Sequence, residues 1–194
     1  MLCIGIIELV VIATLASKLL TFMLSSKIFT CCCCYRLEDS IHDFDQAIML
    51  DATNPIIYSN RGLVNRKMEH FQAAIEDYAN EMKYGTANNV KALNNRAYCF
   101  AKLGHYHDAI NDYSQVLDID SENLHALHNR GISFERLGQY LQAIQDFSEV
   151  IRLDMENANA FFNRGCCYDS IGEIDLAISD YSVALELDMK ASAN

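Results

Sequence analysis

The chain has 194 residues, 51% of them hydrophobic, with one proline, eight glycines, no tryptophan and a formal charge of -11 at pH 7. That is enough apolar side chain to close a real core, and so little proline and glycine favours helices over a turn-rich β architecture. The negative charge argues against nucleic acid as a partner, because phosphate neutralisation needs a basic field.

Residues 1–34 form a hydrophobic N-terminal segment. Residues 2–24 are apolar except for Glu8, Thr14, Ser17, Lys18 and Thr21, a stretch long enough to span a bilayer core of ~30 Å as a helix. Lys18 near the end of the apolar stretch, with Lys27 and Arg36 beyond it, favours a cytoplasmic side for the rest of the chain if the segment is a membrane anchor. Cys31, Cys32, Cys33 and Cys34 then stand where juxtamembrane cysteines are lipidated. Two alternatives stay open: residues 21–34 as a worn helix preceding the next one, or a start that falls within a repeat. The other cysteines are Cys3, Cys99, Cys166 and Cys167. Neither a disulfide framework nor a zinc-ligand spacing is visible, so reduced thiols and no metal or other cofactor are expected. His125 and His128 share a helix face without a third ligand beside them.

From residue 35 onward the chain repeats itself. Asn-Arg-Gly or Asn-Arg-Ala begins at Asn60, Asn95, Asn129 and Asn163, at intervals of 35, 34 and 34. Asp followed by an aromatic residue begins at Asp43, Asp77, Asp112, Asp146 and Asp180, at intervals of 34, 35, 34 and 34. Both markers place one extra residue in the same loop, near Gly85 to Asn89. Self-similarity at this period marks a stack of supersecondary units.

Apolar residues within each unit follow helical spacing. Leu127, Gly131, Phe134 and Leu137 make one face, and Ala143, Ile144, Phe147 and Ile151 another, with Gly138 at the turn between them. Phe161, Gly165, Tyr168 and Ile171, then Ala177, Ile178, Tyr181 and Leu185, repeat the arrangement. Asn54, Asn89, Asn123 and Asn157 precede the first helix of each unit as N-caps, and Pro55 occupies a first helical position. The predicted helices run over 37–50, 55–68, 71–84, 90–103, 106–119, 124–137, 140–153, 158–171 and 174–187. Residues 35–54 make a partial unit, and full units cover 55–89, 90–123, 124–157 and 158–194.

Gly flanked by aromatic residues on the first helix, and alanine with an aromatic on the second, resemble the tetratricopeptide repeat. The usual terminal proline is replaced by Ser121, Met155 and Met189, and the first unit has Asn65 and Glu69 where an aromatic and glycine are typical. The resemblance implies an all-α solenoid of helix-turn-helix hairpins, wound as a right-handed superhelix, whose first helices line a concave groove. It implies a non-enzymatic scaffold or adaptor that binds an extended or helical segment of another protein. No nucleotide loop, nucleophile elbow or zincin motif contradicts this.

Carried onto this sequence, the groove comprises Asn60, Asn95, Asn129 and Asn163 as one row, with Asn94, His128, Tyr98, Lys67, Lys91, Lys102 and Arg136 around it. Asparagine both donates to and accepts from a peptide backbone, so such a row suits an extended chain of any sequence. The bland alternative is that these asparagines hydrogen-bond locally. The carboxylate clamp of chaperone-binding members is not expected, since its arginine position is asparagine in every unit. Arg61, Arg96, Arg130 and Arg164 keep step with the recurring aspartates and read as pairs joining the two helices of each hairpin. Two locations follow: cytoplasmic, or membrane-anchored with the repeats facing the cytosol, like organelle import receptors. The last helix lacks a polar capping helix, so self-association there, or membership of a longer array, is expected as an alternative.

Overall fold

The computed structural model describes residues 37–192, all of whose regular structure is helical. The helices are α1 (Leu37–Leu50), α2 (Pro55–Lys67), α3 (Phe71–Tyr84), α4 (Val90–Lys102), α5 (Tyr106–Ile119), α6 (Leu124–Arg136), α7 (Tyr140–Leu153), α8 (Ala158–Ser170) and α9 (Ile174–Ser192). The chain divides inside α4 into two compact units, one ending at Ala92 and the other beginning at Leu93. The candidate membrane span and the cysteine run at 31–34 lie outside the described residues. Among the described residues no helix is long and apolar enough to cross a membrane.

Each first helix starts where an asparagine side chain takes up an orphaned amide. Asn54 Oδ1 accepts from Ile56 N at 3.1 Å, Asn89 from Ala92 N at 3.2 Å, Asn123 from Ala126 N at 3.0 Å and Asn157 from Ala160 N at 3.1 Å. The amide ends of Asn123 and Asn157 donate back to Asp120 and Asp154. In the longer loop Asn89 donates instead to Glu81 Oε1 at 2.9 Å. The extra residue therefore exchanges a local aspartate anchor for one in the body of α3.

In the first unit Phe44, Ala47, Ile57 and Val64 form the core between α1 and α2, with Ile41, Ile48 and Met68 against it. In the second, Leu127, Val150 and Ala160 join three successive helices, and Phe147 packs with Ala143 and Cys167. Close approach is what requires glycine at residue 131: a Cβ there would stand 2.8 Å from Phe147 Cε1. Gly165 meets Tyr181 in the same way, while the matching position in the second hairpin is the fully buried Ala97.

The expected arginine–aspartate joint is present in every hairpin. Asp77, Asp112, Asp146 and Asp180 are all buried. Arg96 grips Asp112 through Nε at 2.7 Å and Nη2 at 2.8 Å, and Arg130 grips Asp146 at 2.9 and 2.7 Å. Arg164 holds Asp180 at 2.8 Å through both nitrogens, and Arg61 holds Asp77 through the same pair. The remaining nitrogen reaches back to the preceding second helix: Arg61 to Asp45 at 2.6 Å, Arg130 to Ser114 at 3.1 Å and Arg164 to Ser148 at 3.0 Å. One guanidinium thus ties three helices together.

Two features of the first hairpin depart from the pattern without disturbing it. Asn65 is buried and donates to Asp77 Oδ2 at 2.8 Å, so it joins the ion-pair network in place of an aromatic ring. Glu69 takes the turn position at φ +60°, where Gly104, Gly138 and Gly172 stand in the later hairpins. At the other end the prediction is corrected: α9 does not stop at 187 but runs to Ser192. In the inner units the chain leaves its helix at an Asp-x-x-Asn turn, and the asparagine position of that turn is here Ala191. Elsewhere the first helices end one residue earlier than expected. Ile178 and Leu185 on α9 are 57% and 62% exposed, whereas their counterparts Ile144 and Ile151 are partly buried in clusters with α8 residues.

A non-glycine residue at positive φ carries a strain of roughly 1–2 kcal/mol, partly offset by the extra freedom glycine brings to the unfolded chain. Glu69→Gly is therefore expected to raise the thermal midpoint by about 2–4 °C, read by circular dichroism. An unchanged or lowered midpoint would show that Glu69 holds its turn by contacts the backbone angle does not reveal.

Candidate functional site

The tripeptide Asn-Arg-Gly sets three directions on a helix, because successive residues are turned by about 100°. Glycine presses onto the second helix of its own hairpin and arginine reaches the buried aspartate. Asparagine, two residues before glycine, is turned nearly opposite to it. Asn60, Asn95, Asn129 and Asn163 accordingly lie half-buried on the side of α2, α4, α6 and α8 away from their own partner helix.

In the second unit predicted groove residues make contacts across neighbouring first helices. His125 Nδ1 lies 3.4 Å from Asn94 Oδ1, and Asn163 Nδ2 lies 3.2 Å from His128 Nε2. Asn129 donates one N–H to His125 O, a turn back in its own helix, at 2.7 Å. Each of these amides has two N–H groups and a carbonyl, so Asn129 and Asn163 retain a second donor as well as an acceptor. The two histidines considered as metal ligands are thus engaged with the asparagines.

His128 also meets the edge of Phe147, at 5.7 Å between ring centres. Burial, and secondarily the neighbouring His125, hold its pKa below the ordinary histidine value of 6.5. Farther along, Cys166 is half-buried and hydrogen-bonded to Tyr181, whose phenol is pushed up to about 12 by that hydrogen bond first and burial second. The buried Cys167 thiol is likewise pushed up to about 12, mainly by burial. A thiol held that high is not activated as a nucleophile.

Tyr98, Lys102, Asn129 and Arg136 are brought together around one concavity of about 320 Å³. Its lining is completed by Ala101 and Ile132 and, from the second helix α5, by Tyr106 and Tyr113. Neither tyrosine is among the site residues expected from sequence. Tyr113 follows the marker Asp112 and reads as core, and it is indeed fully buried, yet its ring also forms a wall of the cavity.

Asn60, Lys67 and Lys91 belong to the first compact unit. Lys67 is exposed at the last position of α2. Lys91 lies near enough to the Glu81 carboxylate to favour its charged form, although burial dominates and pushes that carboxyl above the usual range. Glu81 is an unexpected feature: a buried acid on α3 where the later hairpins have the buried Val116, Val150 and Ala184. The signal that could have found it is this break in the apolar column, immediately before the one longer loop.

Tandem helical hairpins repeated at a fixed period define the all-α repeat solenoids. A sequence profile of the tetratricopeptide repeat matches residues 90–123, and a second one residues 128–192. The chain belongs to the tetratricopeptide repeat family, and as such is a protein-interaction scaffold. MamA from Desulfovibrio magneticus RS-1 superimposes with a TM-score of 0.82 at 14% identity, over 90% of this chain and 96% of that one. YrrB, described as a tetratricopeptide repeat protein with an unusual peptide-binding site, gives 0.74 at 20% identity over 86% and 82%. A repeat protein from Parabacteroides merdae gives 0.76 at 22% identity, over 88% of this chain and 66% of that chain. No curated protein matches the sequence.

The environment of His128 gives a pH dependence with a definite sign. A histidine whose folded pKa is depressed contributes stability that is full above about pH 6.5 and is lost as pH falls through that value toward the folded pKa. Protonation also turns Nε2 into a donor and removes the acceptor facing Asn163 Nδ2. Denaturant titrations are expected to show this acid-side loss in the wild type and a flatter profile in His128→Gln. Equal slopes in the two proteins would contradict it.

Proposed function

We propose that the chain binds an extended peptide segment of another protein along the asparagine-bearing faces of its first helices. The observation that supports this most is the second unit's row of Asn95, Asn129 and Asn163. At least the latter two keep a donor and an acceptor after their internal bonds are made, beside a cavity of side-chain size. Amide groups at repeat spacing suit a main chain, which offers one donor and one acceptor per residue. Side-chain selection then falls to the residues between the asparagines.

The framework beneath the row suits this role. The cavity and the asparagines lie on helices whose rotation is held by Arg96, Arg130 and Arg164. A binding surface on rigid elements loses less freedom when a ligand docks than one carried on loops. YrrB, which shares the fold, is itself described as having a peptide-binding site.

The test is panning of the full chain against displayed random dodecapeptides, followed by affinity measurement on an enriched peptide by fluorescence anisotropy. Each lost hydrogen bond is worth about 0.5–1.5 kcal/mol net. The Asn95→Ala/Asn129→Ala variant is therefore expected to bind about ten- to a hundredfold more weakly with its helicity unchanged. Undiminished affinity in that variant would remove the asparagine row from the site.

A further inference from the structure

The cavity between α4, α5 and α6 is marked by an imbalance of charge. In this acidic chain Arg61, Arg96, Arg130, Arg152 and Arg164 are all ion-paired with carboxylates. Lys102 and Arg136, at the ends of α4 and α6, both line the cavity, and neither makes an ion pair among the described residues. The Lys102 ammonium instead lies over the Tyr98 ring, 5.3 Å from its centre. Lys67, Lys83 and Lys190 also make no ion pair among the described residues, but Lys102 and Arg136 both line one cavity, and that convergence in a chain where acids outnumber bases 26 to 15 points to an anion supplied from outside.

The walls sharpen the selection. Lys102 and Arg136 are exposed at the ends of their helices, and Tyr98, Tyr113 and Ile132 line the cavity beside them with apolar surface. At about 320 Å³ the space is at the lower end of small-molecule pockets, roughly 300–1,000 Å³, and suits one or two side chains rather than a cofactor. Asn129 belongs both to this lining and to the asparagine row. A main chain held along the row would therefore pass the mouth of the cavity and direct a side chain into it.

We infer that this cavity is a specificity pocket for an aspartate or glutamate side chain of the bound peptide, with Lys102 and Arg136 as its cationic jaws. The inference rests on the peptide-groove reading and adds the residue class that the groove selects. The clamp of chaperone-binding relatives is a different arrangement, since its arginine would stand in the asparagine row itself. Here the two cations lie seven residues beyond Asn95 and Asn129, two helical turns along the same faces.

Dodecapeptides enriched on the full chain are expected to share an acidic residue at one position. Replacing that residue by its amide should weaken binding at least tenfold to the wild type. Lys102→Ala/Arg136→Ala should weaken the acidic peptide by a similar factor and leave the amide peptide unaffected, which a double-mutant cycle reads directly. Enrichment of peptides without a shared acid, or an unchanged affinity in the double variant, would overturn the pocket while leaving the groove in place. Failure to enrich any peptide would overturn both. A phosphoserine peptide that binds where its aspartate and glutamate counterparts do not would overturn the carboxylate assignment.

Discussion

One ion pair, repeated, sets the geometry on which the rest depends. In each hairpin an arginine of the first helix lays two nitrogens on a buried aspartate of the second, and in three of them the third nitrogen reaches the helix before. Burying such a pair gains little net stability, because desolvation offsets most of the attraction. Its bidentate fork is directional, however, and fixes how far the first helix is rotated. Aromatic rings receive the outer face of the guanidinium: Phe100 at 5.9 Å, Phe134 at 5.8 Å and Phe161 at 5.6 Å from its carbon. The cation is thereby shielded without being sealed, and about a fifth of each arginine side chain stays exposed.

That rotation determines what the opposite side of the helix presents. With glycine or alanine against the partner helix and arginine on the clasp, asparagine is left facing away from its own hairpin. A single tripeptide therefore encodes close packing, joint and the proposed recognition surface in consecutive residues. The same logic explains the cavity. Tyr98 and Lys102, three and seven residues after Asn95, continue its face of α4, while Ile132 and Arg136 do the same for Asn129 on α6. The space between them is closed below by a tyrosine whose first duty is to the core.

The repeat marker, the caps and the clasp were legible because each is a local rule restated several times. Asn123 followed three residues later by a capped amide, or Arg130 sixteen residues before Asp146, can be read from a line of text. Departures were harder. Asn65 stands where the repeat usually has an aromatic ring, and only the position of Asp77 shows that its amide has a buried acceptor. Glu69 shows that a turn can keep its left-handed backbone without glycine. The end of α9 was misplaced because the stop signal is a cap belonging to the next helix, and Ala191 stands where that cap would be. Among the residues around the cavity, sequence named Asn129, Tyr98 and the two cations but not Tyr106 and Tyr113, the latter buried in the core as well as lining the cavity. It also gave no sign that His125 and His128 would be occupied by Asn94 and Asn163.

The dependence of the hairpins on their clasp is open to direct measurement by a double-mutant cycle at Arg130 and Asp146, read by urea unfolding. Removing one partner of a buried pair typically costs about 3–5 kcal/mol, whereas replacing both with apolar groups of similar size is far less damaging. Arg130→Met and Asp146→Leu should each destabilise the chain strongly, and the double variant should lose much less than the sum. Simple addition of the two losses would mean that the residues act independently, and that something other than this pair sets the rotation of the first helices.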